Sequence, residues 1–138
     1  MKYAWILLLA LTLGSCTNQS NQAMLEHLEG YWVIDIVEKP DGTLKEFPFT
    51  NHMDYFEVLE NSGTKSRVSP TYDGTFISYG DAVKFVWVEQ EHQILLNFAD
   101  GERSYSQILK KATEDELELI HEDGTIYRYK SHTPNAKQ

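Results

Sequence analysis

The side chains that could coordinate a metal ion are spread along the whole sequence. No two histidines are at a spacing typical of zinc ligands, so we interpret them as scattered surface residues. The acidic stretch at residues 114–123 lacks the alternating aspartate order of a calcium-binding EF-hand loop. Alternation of Glu116 and Glu118 with leucines instead indicates the solvent-facing side of a strand. The sequence therefore predicts no metal site; the histidines are His27, His52, His92, His121 and His132.

The sequence also lacks the usual motifs of covalent catalysis and of phosphate binding. It contains no Gly-x-Ser-x-Gly turn and no glycine-rich phosphate loop. Ser78, Ser104 and Ser106 lie in strand-like runs, where serine is an ordinary solvent-facing residue. A pair of catalytic carboxylates stays open as an alternative, because the sequence alone does not say which strands are neighbours. We predict that the protein is not an enzyme and has no cofactor.

The single cysteine, Cys16, follows an apolar segment near the start of the chain. One lysine precedes the apolar residues 3–13, which are too few for a membrane-spanning helix and are typical of a secretory signal. The sequence Leu13-Gly14-Ser15-Cys16 resembles the lipobox of bacterial lipoproteins. The resemblance implies cleavage before Cys16, a diacylglyceryl thioether on its sulfur and usually a further acyl chain on its amine. The alternative is an ordinary leader in which Cys16 is a free thiol.

The predicted lipoprotein has four parts: a cleaved signal peptide at 1–15, a polar tether at 16–23, a folded domain at 24–132 and a flexible tail at 133–138. Thr17 takes the place of an aspartate beside the cysteine, and similarity to known lipoprotein sorting then implies transfer to the outer membrane. The tether lacks the acidic cluster that some surface-exported lipoproteins carry. The periplasmic face of the outer membrane is the predicted location.

The charge and cysteine content exclude several classes of partner. A formal net charge of −9 offers no attraction for nucleic acid or for anionic lipid, so membrane contact is predicted through the lipid anchor alone. A single cysteine excludes an intramolecular disulfide and any site built from several thiolates.

Turn signals recur about every ten residues after residue 30 and separate short runs rich in β-branched and aromatic residues. Residues 24–29 carry apolar side chains at helical spacing, and Gly30 follows them in the position of a C-terminal cap. We therefore predict an all-β fold, an antiparallel up-and-down barrel of about eight principal strands after a short N-terminal helical turn. The predicted strand runs are 31–38, 43–47, 52–60, 65–70, 75–78, 82–89, 93–99, 102–111, 115–121 and 125–130.

Apolar and polar residues alternate within these runs, as an antiparallel sheet around a core requires. The predicted inward-facing sets are Trp32, Ile34 and Ile36; Val83, Phe85 and Trp87; Ile94, Leu96 and Phe98; Leu117 and Leu119; and Tyr127 and Tyr129.

The first and last of these strands carry a further pattern. Gly30-Tyr31-Trp32 begins the first strand directly after the helical turn, and Tyr127-Arg128-Tyr129 lies in the last. The arrangement resembles the lipocalin-like families, in particular small lipocalin-like lipoproteins of Bacteroidetes-type bacteria, although the Thr-Asp-Tyr motif and disulfide cysteines of other lipocalins are absent. The resemblance implies that Gly30 and Trp32 close one end of the barrel, with Arg128 across the indole of Trp32. The alternative is that Arg128, which alternates with two tyrosines, is a solvent-facing charge.

Two functions follow from this fold. The resemblance implies a carrier that binds a small hydrophobic ligand inside the barrel. The alternative is a barrel filled by its own side chains, acting as a non-enzymatic envelope interaction module or inhibitor through contacts with another protein. The predicted ligand-contacting residues are Trp32, Phe85, Trp87, Phe98, Tyr127 and Tyr129.

Overall fold

The fold was analysed in a computed structural model, which describes residues 20–48 and 50–132. The predicted signal peptide, the Cys16 site and the predicted tail therefore lie outside the described residues. One helix and nine strands follow in chain order: α1 (Asn21–Leu28), β1 (Gly30–Glu38), β2 (Leu44–Glu46), β3 (Met53–Val58), β4 (Ser62–Pro70), β5 (Phe76–Gln90), β6 (Gln93–Asp100), β7 (Arg103–Ala112), β8 (Glu116–His121) and β9 (Ile126–His132).

The helix begins three residues earlier than predicted, within the segment assigned to the tether. Ser20 is its N-cap, and the Ser20 hydroxyl accepts a hydrogen bond from the backbone N–H of Ala23 at 3.1 Å. The helix buries Met24, Leu25 and Leu28 against the barrel. Within residues 20–48 and 50–132, no helix combines the length and the apolar character that a membrane crossing needs.

Eight of the strands form a closed antiparallel barrel, which confirms the predicted fold class. Each strand from β3 to β8 pairs with the next along the chain, and β1 pairs with both β3 and β9. The ninth strand, β2, lies outside this cycle. β2 and β3 pair with the same edge of β1. β3 pairs with residues 30–32 of β1, and β2 pairs with residues 36–38. The two ladders leave a gap along that edge of β1.

A β-bulge in β1 changes which residues face the interior. The register with β9 shifts between Ile34 and Ile36, so that Ile34 lies opposite Tyr129 while Ile36 lies opposite Arg128. Facing residues of an antiparallel pair project on the same side of the sheet. The prediction that Ile36 shares the inner face of Trp32 is therefore wrong, because the bulge gives that place to Val37.

The predicted break between the strand runs 75–78 and 82–89, at the turn signal Tyr79-Gly80-Asp81, is also wrong, because β5 continues through these residues. β5 pairs with β4 at Val83–Lys65 and again at Tyr79–Arg67, and between these pairs it has residues 80–82 opposite one residue of β4. Gly80 has φ +76° within this irregular stretch. The glycine thus forms part of a bulge in a long strand rather than a hairpin between two short ones.

The barrel interior divides into two halves along its axis. The half next to α1, here called the packed half, is filled by apolar side chains. The half at the other end, called the open half, contains a cavity. The largest fully buried side chains of the barrel and helix are Phe56, Phe85, Phe98, Leu28, Ile94, Leu96, Leu109, Leu117 and Leu119.

Candidate functional site

The packed half ends at a floor formed by α1 and Trp32. Trp32 is 3% exposed, and its indole N–H donates to the backbone carbonyl of Leu28 at 2.9 Å. The Glu29 carboxylate accepts a hydrogen bond from the backbone N–H of Val58 at 3.2 Å, which holds the end of the helix to β3. Gly30 has φ +141° at the junction between helix and strand, a conformation that side chains disfavour. Trp32 and the helix therefore cover one end of the barrel together.

The open half contains a cavity with two lobes. The first lobe has a volume of about 530 Å³ and the second of about 280 Å³. Asp54, Arg67, Tyr127 and Tyr129 line both lobes, so the lobes form one continuous site. The second lobe lies beside the gap in the β1 edge, where Phe47 donates its backbone N–H to the carbonyl of Asp35 at 2.9 Å.

Charged and polar side chains dominate the first lobe. Tyr129 is buried, and its hydroxyl donates to the Asp54 carboxylate at 3.1 Å. Burial and the neighbouring Asp54 charge raise the pKa of the Tyr129 phenol well above 10. The phenol therefore stays neutral and keeps its proton for the hydrogen bond. The residues lining this lobe are Asp54, Lys65, Arg67, Arg103, Ser104, Tyr105, Gln107, His121, Glu122, Tyr127 and Tyr129.

A row of aromatic rings forms one wall of the first lobe. The Tyr105 ring stacks on Phe98 with centroids 4.9 Å apart. The ring centroids of Tyr105 and His121 are 5.4 Å apart, and those of His121 and Tyr127 are 6.3 Å apart. The side-chain nitrogen of Gln107 hydrogen-bonds Nδ1 of His121 at 3.1 Å. Gln107 is 6% exposed, and within the described residues its Oε1 accepts no hydrogen bond. The wall thus combines flat apolar surface with polar groups.

The structure brings three of the six predicted ligand residues to this cavity. Tyr127 and Tyr129 line both lobes, and Trp32 lines the second lobe. Phe85 and Phe98 were predicted to contact a ligand, but they lie in the packed half, 1% and 2% exposed, and line neither lobe.

Trp87 lies at the opposite end of the barrel from the cavity and lines neither of its lobes. Its inward orientation is confirmed by packing against the core. Its side chain lines an external groove beside α1, together with Leu25 and Leu59. The indole N–H donates to the carbonyl of Leu59 at 3.4 Å. Position along the strand, which alternation does not reveal, separates Trp87 from the site.

Arg128 lies on the outer surface, and the predicted stacking on Trp32 is wrong. Its guanidinium contacts the carboxylates of Glu38 at 3.0 Å and Glu118 at 3.6 Å. The residue opposite Trp32 in the β1–β9 ladder is Ser131, three positions further along β9. Tyr127 and Tyr129 project inward, so the arginine between them projects outward.

The sequence interpretation missed the charged residues of the cavity. Lys65 and Arg67 alternate with Ser66 on β4, a pattern that also fits a solvent-facing side. Their pairing with Phe56 and Asp54 on β3 places both on the inner face. A usable signal was the alternation in β3, where Asp54 stands two residues before the apolar Phe56. Within residues 20–48 and 50–132, no cluster of three or more His, Cys, Asp or Glu side chains could hold a metal ion.

A closed eight-stranded barrel with one end covered by a helix and a cavity at the other has the architecture of a lipocalin-like protein. The family model of the lipocalin-like domain matches residues 28–119, and the chain belongs to this family. The resemblance to lipocalin-like families, stated from the sequence, is thereby confirmed.

Two solved structures are similar to this chain. A lipocalin-like protein from Bacteroides uniformis ATCC 8492 has 15% sequence identity, a TM-score of 0.48 and coverage of 77% of this chain and 99% of its own. An uncharacterized protein from Bacteroides eggerthii DSM 20697 has 11% identity, a TM-score of 0.47 and coverage of 76% and 99%. No curated protein matches the chain.

Proposed function

We propose that this lipocalin-like protein binds a small amphipathic molecule in the open half of its barrel, without catalysing a reaction. The observation that supports the proposal is the two-lobed cavity, whose first lobe alone, at about 530 Å³, is within the size range of small-molecule sites. The aromatic row from Tyr105 through His121 to Tyr127 offers a flat apolar surface, and the Tyr129–Asp54 pair offers fixed polar groups. A ligand with an apolar body and a polar end suits this lining better than a purely hydrophobic one.

The proposal is tested by mass spectrometry of small molecules that co-purify with the folded domain from its native periplasm. Val37 lines the second lobe opposite Tyr127, so Val37→Trp would fill part of the cavity. Val86 is 51% exposed on β5 and supplies a matched control, Val86→Trp. We expect the same bound species in the wild type and in Val86→Trp, and its loss from Val37→Trp. An identical set of species in all three proteins would show that the cavity is not the binding site.

We further propose that the protein is anchored by lipid on Cys16 to the periplasmic face of the outer membrane. The support is the apolar segment followed by Leu13-Gly14-Ser15-Cys16 and a polar, uncharged stretch before the helix. Several acyl chains on one residue provide durable anchoring, whereas a single chain holds only marginally.

Metabolic labelling with a palmitate analogue tests the anchor. We expect label on the wild type and none on Cys16→Ser, with Ser20→Ala as a control that keeps the label. Equal labelling of wild type and Cys16→Ser would contradict lipidation at this residue. Fractionation of labelled cells into inner and outer membranes then tests the predicted location.

A further inference from the structure

The cations of the first lobe form no ion pairs with described residues, whereas its carboxylates accept hydrogen bonds. Within residues 20–48 and 50–132, the side chains of Lys65, Arg67 and Arg103 form neither an ion pair nor a hydrogen bond. The Asp54 carboxylate accepts from Tyr129 at 3.1 Å, and the Glu122 carboxylate accepts from the backbone N–H of Ser106 at 2.9 Å. The lining therefore has three cations and two carboxylates, a formal excess of one positive charge, and within the described part of the chain none of the three cations is in an ion pair.

This local excess runs against the charge of the whole chain, which is formally −9. The ion pairs of the described surface use other cations, namely Lys111, Arg128 and Lys130. Three cations that line one cavity of an acidic protein without forming ion pairs to described residues, Lys65 half-buried and Arg67 and Arg103 exposed, are expected to attract an anion.

Lys65 is the central cation of this group. It is partly buried on the inner face of β4, opposite Phe56, and its Nζ lies 5.2 Å from the centroid of the Phe98 ring. Burial lowers the pKa of its amine, and the nearby Asp54 and Asp100 oppose this shift through their charge. Partial removal of a cation from water without an ion-pair partner is unfavourable, so a bound anion would supply a missing interaction.

We propose that the ligand is a flat organic anion whose charged group is held by Lys65, Arg67 and Arg103 and whose ring lies against Tyr105 and Tyr127. The inference rests on the proposed function, because it names the chemical class of molecule for the same cavity. Guanidinium groups bind carboxylate or sulfonate oxygens through paired N–H donors, and the lysine adds a point charge beside the aromatic wall.

A matched pair of fluorescent probes tests the charge requirement. Anilinonaphthalene sulfonate and phenylnaphthylamine share the same rings and amine, but only the first carries a sulfonate. We expect saturable one-to-one binding of the sulfonate, about tenfold tighter than that of the uncharged probe, as one charge-assisted contact would give. Lys65→Met should weaken binding of the sulfonate about tenfold and leave binding of phenylnaphthylamine unchanged.

Lys84→Met is the matched control, because Lys84 is exposed on β5 next to the inward-facing Val83 and Phe85. It should change the affinity of neither probe. If Lys65→Met fails to fold in a urea titration, Arg103→Gln at the exposed rim replaces it and should weaken sulfonate binding at least about threefold.

The outcomes separate this inference from the proposed function. Equal affinity for both probes, unchanged by Lys65→Met, would overturn the anion preference while leaving a small-molecule site. Absence of saturable binding by either probe would overturn both. A sulfonate affinity that Lys84→Met reduces as much as Lys65→Met does would place the anion outside the cavity and also overturn the inference.

Discussion

The packed half and the open half of the barrel are built from the same strands but from different residues. On β3, Phe56 is fully buried in the packed half, while Asp54, two residues earlier on the same face, lines the cavity. On β7, Leu109 is in the packed half and Gln107 in the open half. On these two strands the inner face therefore changes from apolar to polar between the packed half and the open half.

This difference separates the residues that stabilise the fold from those available for binding. Within the described residues, Trp32 and Tyr129 are the members of the buried core cluster that also line a cavity lobe. Burial of apolar area stabilises the packed half, whereas the unpaired cations of the open half contribute little to stability and some of them oppose it. Substitutions in the two halves should therefore affect different measurements.

The largest expected effect is in the packed half, at Phe85. Its ring contacts Phe98 and Phe56, with centroids 5.2 and 6.4 Å away, and is 1% exposed. Phe85→Ala should lower the free energy of unfolding by about 3–5 kcal/mol, because it removes buried contacts and leaves a cavity. Urea denaturation measures the change, with the outward-facing neighbour Val86→Ala as control. A loss below about 1 kcal/mol would contradict a tightly packed half.

A smaller effect is expected when an atom is added to the same region. A Cβ at Gly63 would collide with the backbone carbonyl of Glu57 and with the ring of Phe85. Gly63→Ala should therefore lower the free energy of unfolding by about 1–3 kcal/mol, as overpacking does. The adjacent Thr64→Ala, on the other face of β4, is the control and should change stability by less than about 0.5 kcal/mol. Equal stability of Gly63→Ala and the wild type would mean that the ring has room to move.

Sequence patterns predicted the strands and most of their inner faces because both depend on local features. Asp-Gly turns and a two-residue alternation act over a few residues, and they placed Phe85, Leu96 and Leu119 correctly. The bulge that turns Ile36 outward depends on pairing with β9, which is distant in sequence. A local pattern does not contain that information.

The candidate site was predicted only in part for a related reason. Tyr127 and Tyr129 were found because aromatic residues on an inner face suggest a binding site. Lys65 and Arg67 were missed because a charged alternating residue is usually solvent-facing, and only the pairing of β4 with β3 shows the reverse. Polar interiors are thus recognised from strand neighbours rather than from composition.

Tyr129→Phe tests the polar half through its hydrogen bond to Asp54. The substitution keeps the ring and removes the donor, so we expect a loss of about 1–2 kcal/mol in the free energy of unfolding at pH 7. The raised pKa adds a pH dependence, because the folded phenol stays neutral while the unfolded one ionises from about pH 10. The Tyr129 contribution is full below pH 10 and falls as pH rises above it.

The stability difference between wild type and Tyr129→Phe should therefore shrink between about pH 10 and pH 11 in urea titrations. Tyr72→Phe is the control, because Tyr72 is fully exposed, and its difference from wild type should stay near zero. A Tyr129→Phe difference that is constant over this pH range would contradict burial of the phenol in its neutral form.

Arg128→Ala should have the smallest effect, and it tests where the open half ends. Arg128 lies on β9 between Tyr127 and Tyr129, yet its guanidinium is on the outer surface between Glu38 and Glu118. Exposed ion pairs contribute little to stability, so we expect a loss of about 0.2–1 kcal/mol in the free energy of unfolding, reduced further by added salt.

Because the Arg128 side chain lies outside the barrel, the affinity of Arg128→Ala for anilinonaphthalene sulfonate should match that of the wild type. Lys130→Ala, whose amine is near Asp35 at 3.8 Å, provides an equivalent outer-face control. A loss of several kcal/mol, or a probe affinity reduced as strongly as by Lys65→Met, would mean that Arg128 reaches the interior and that the outer face of β9 has been assigned wrongly.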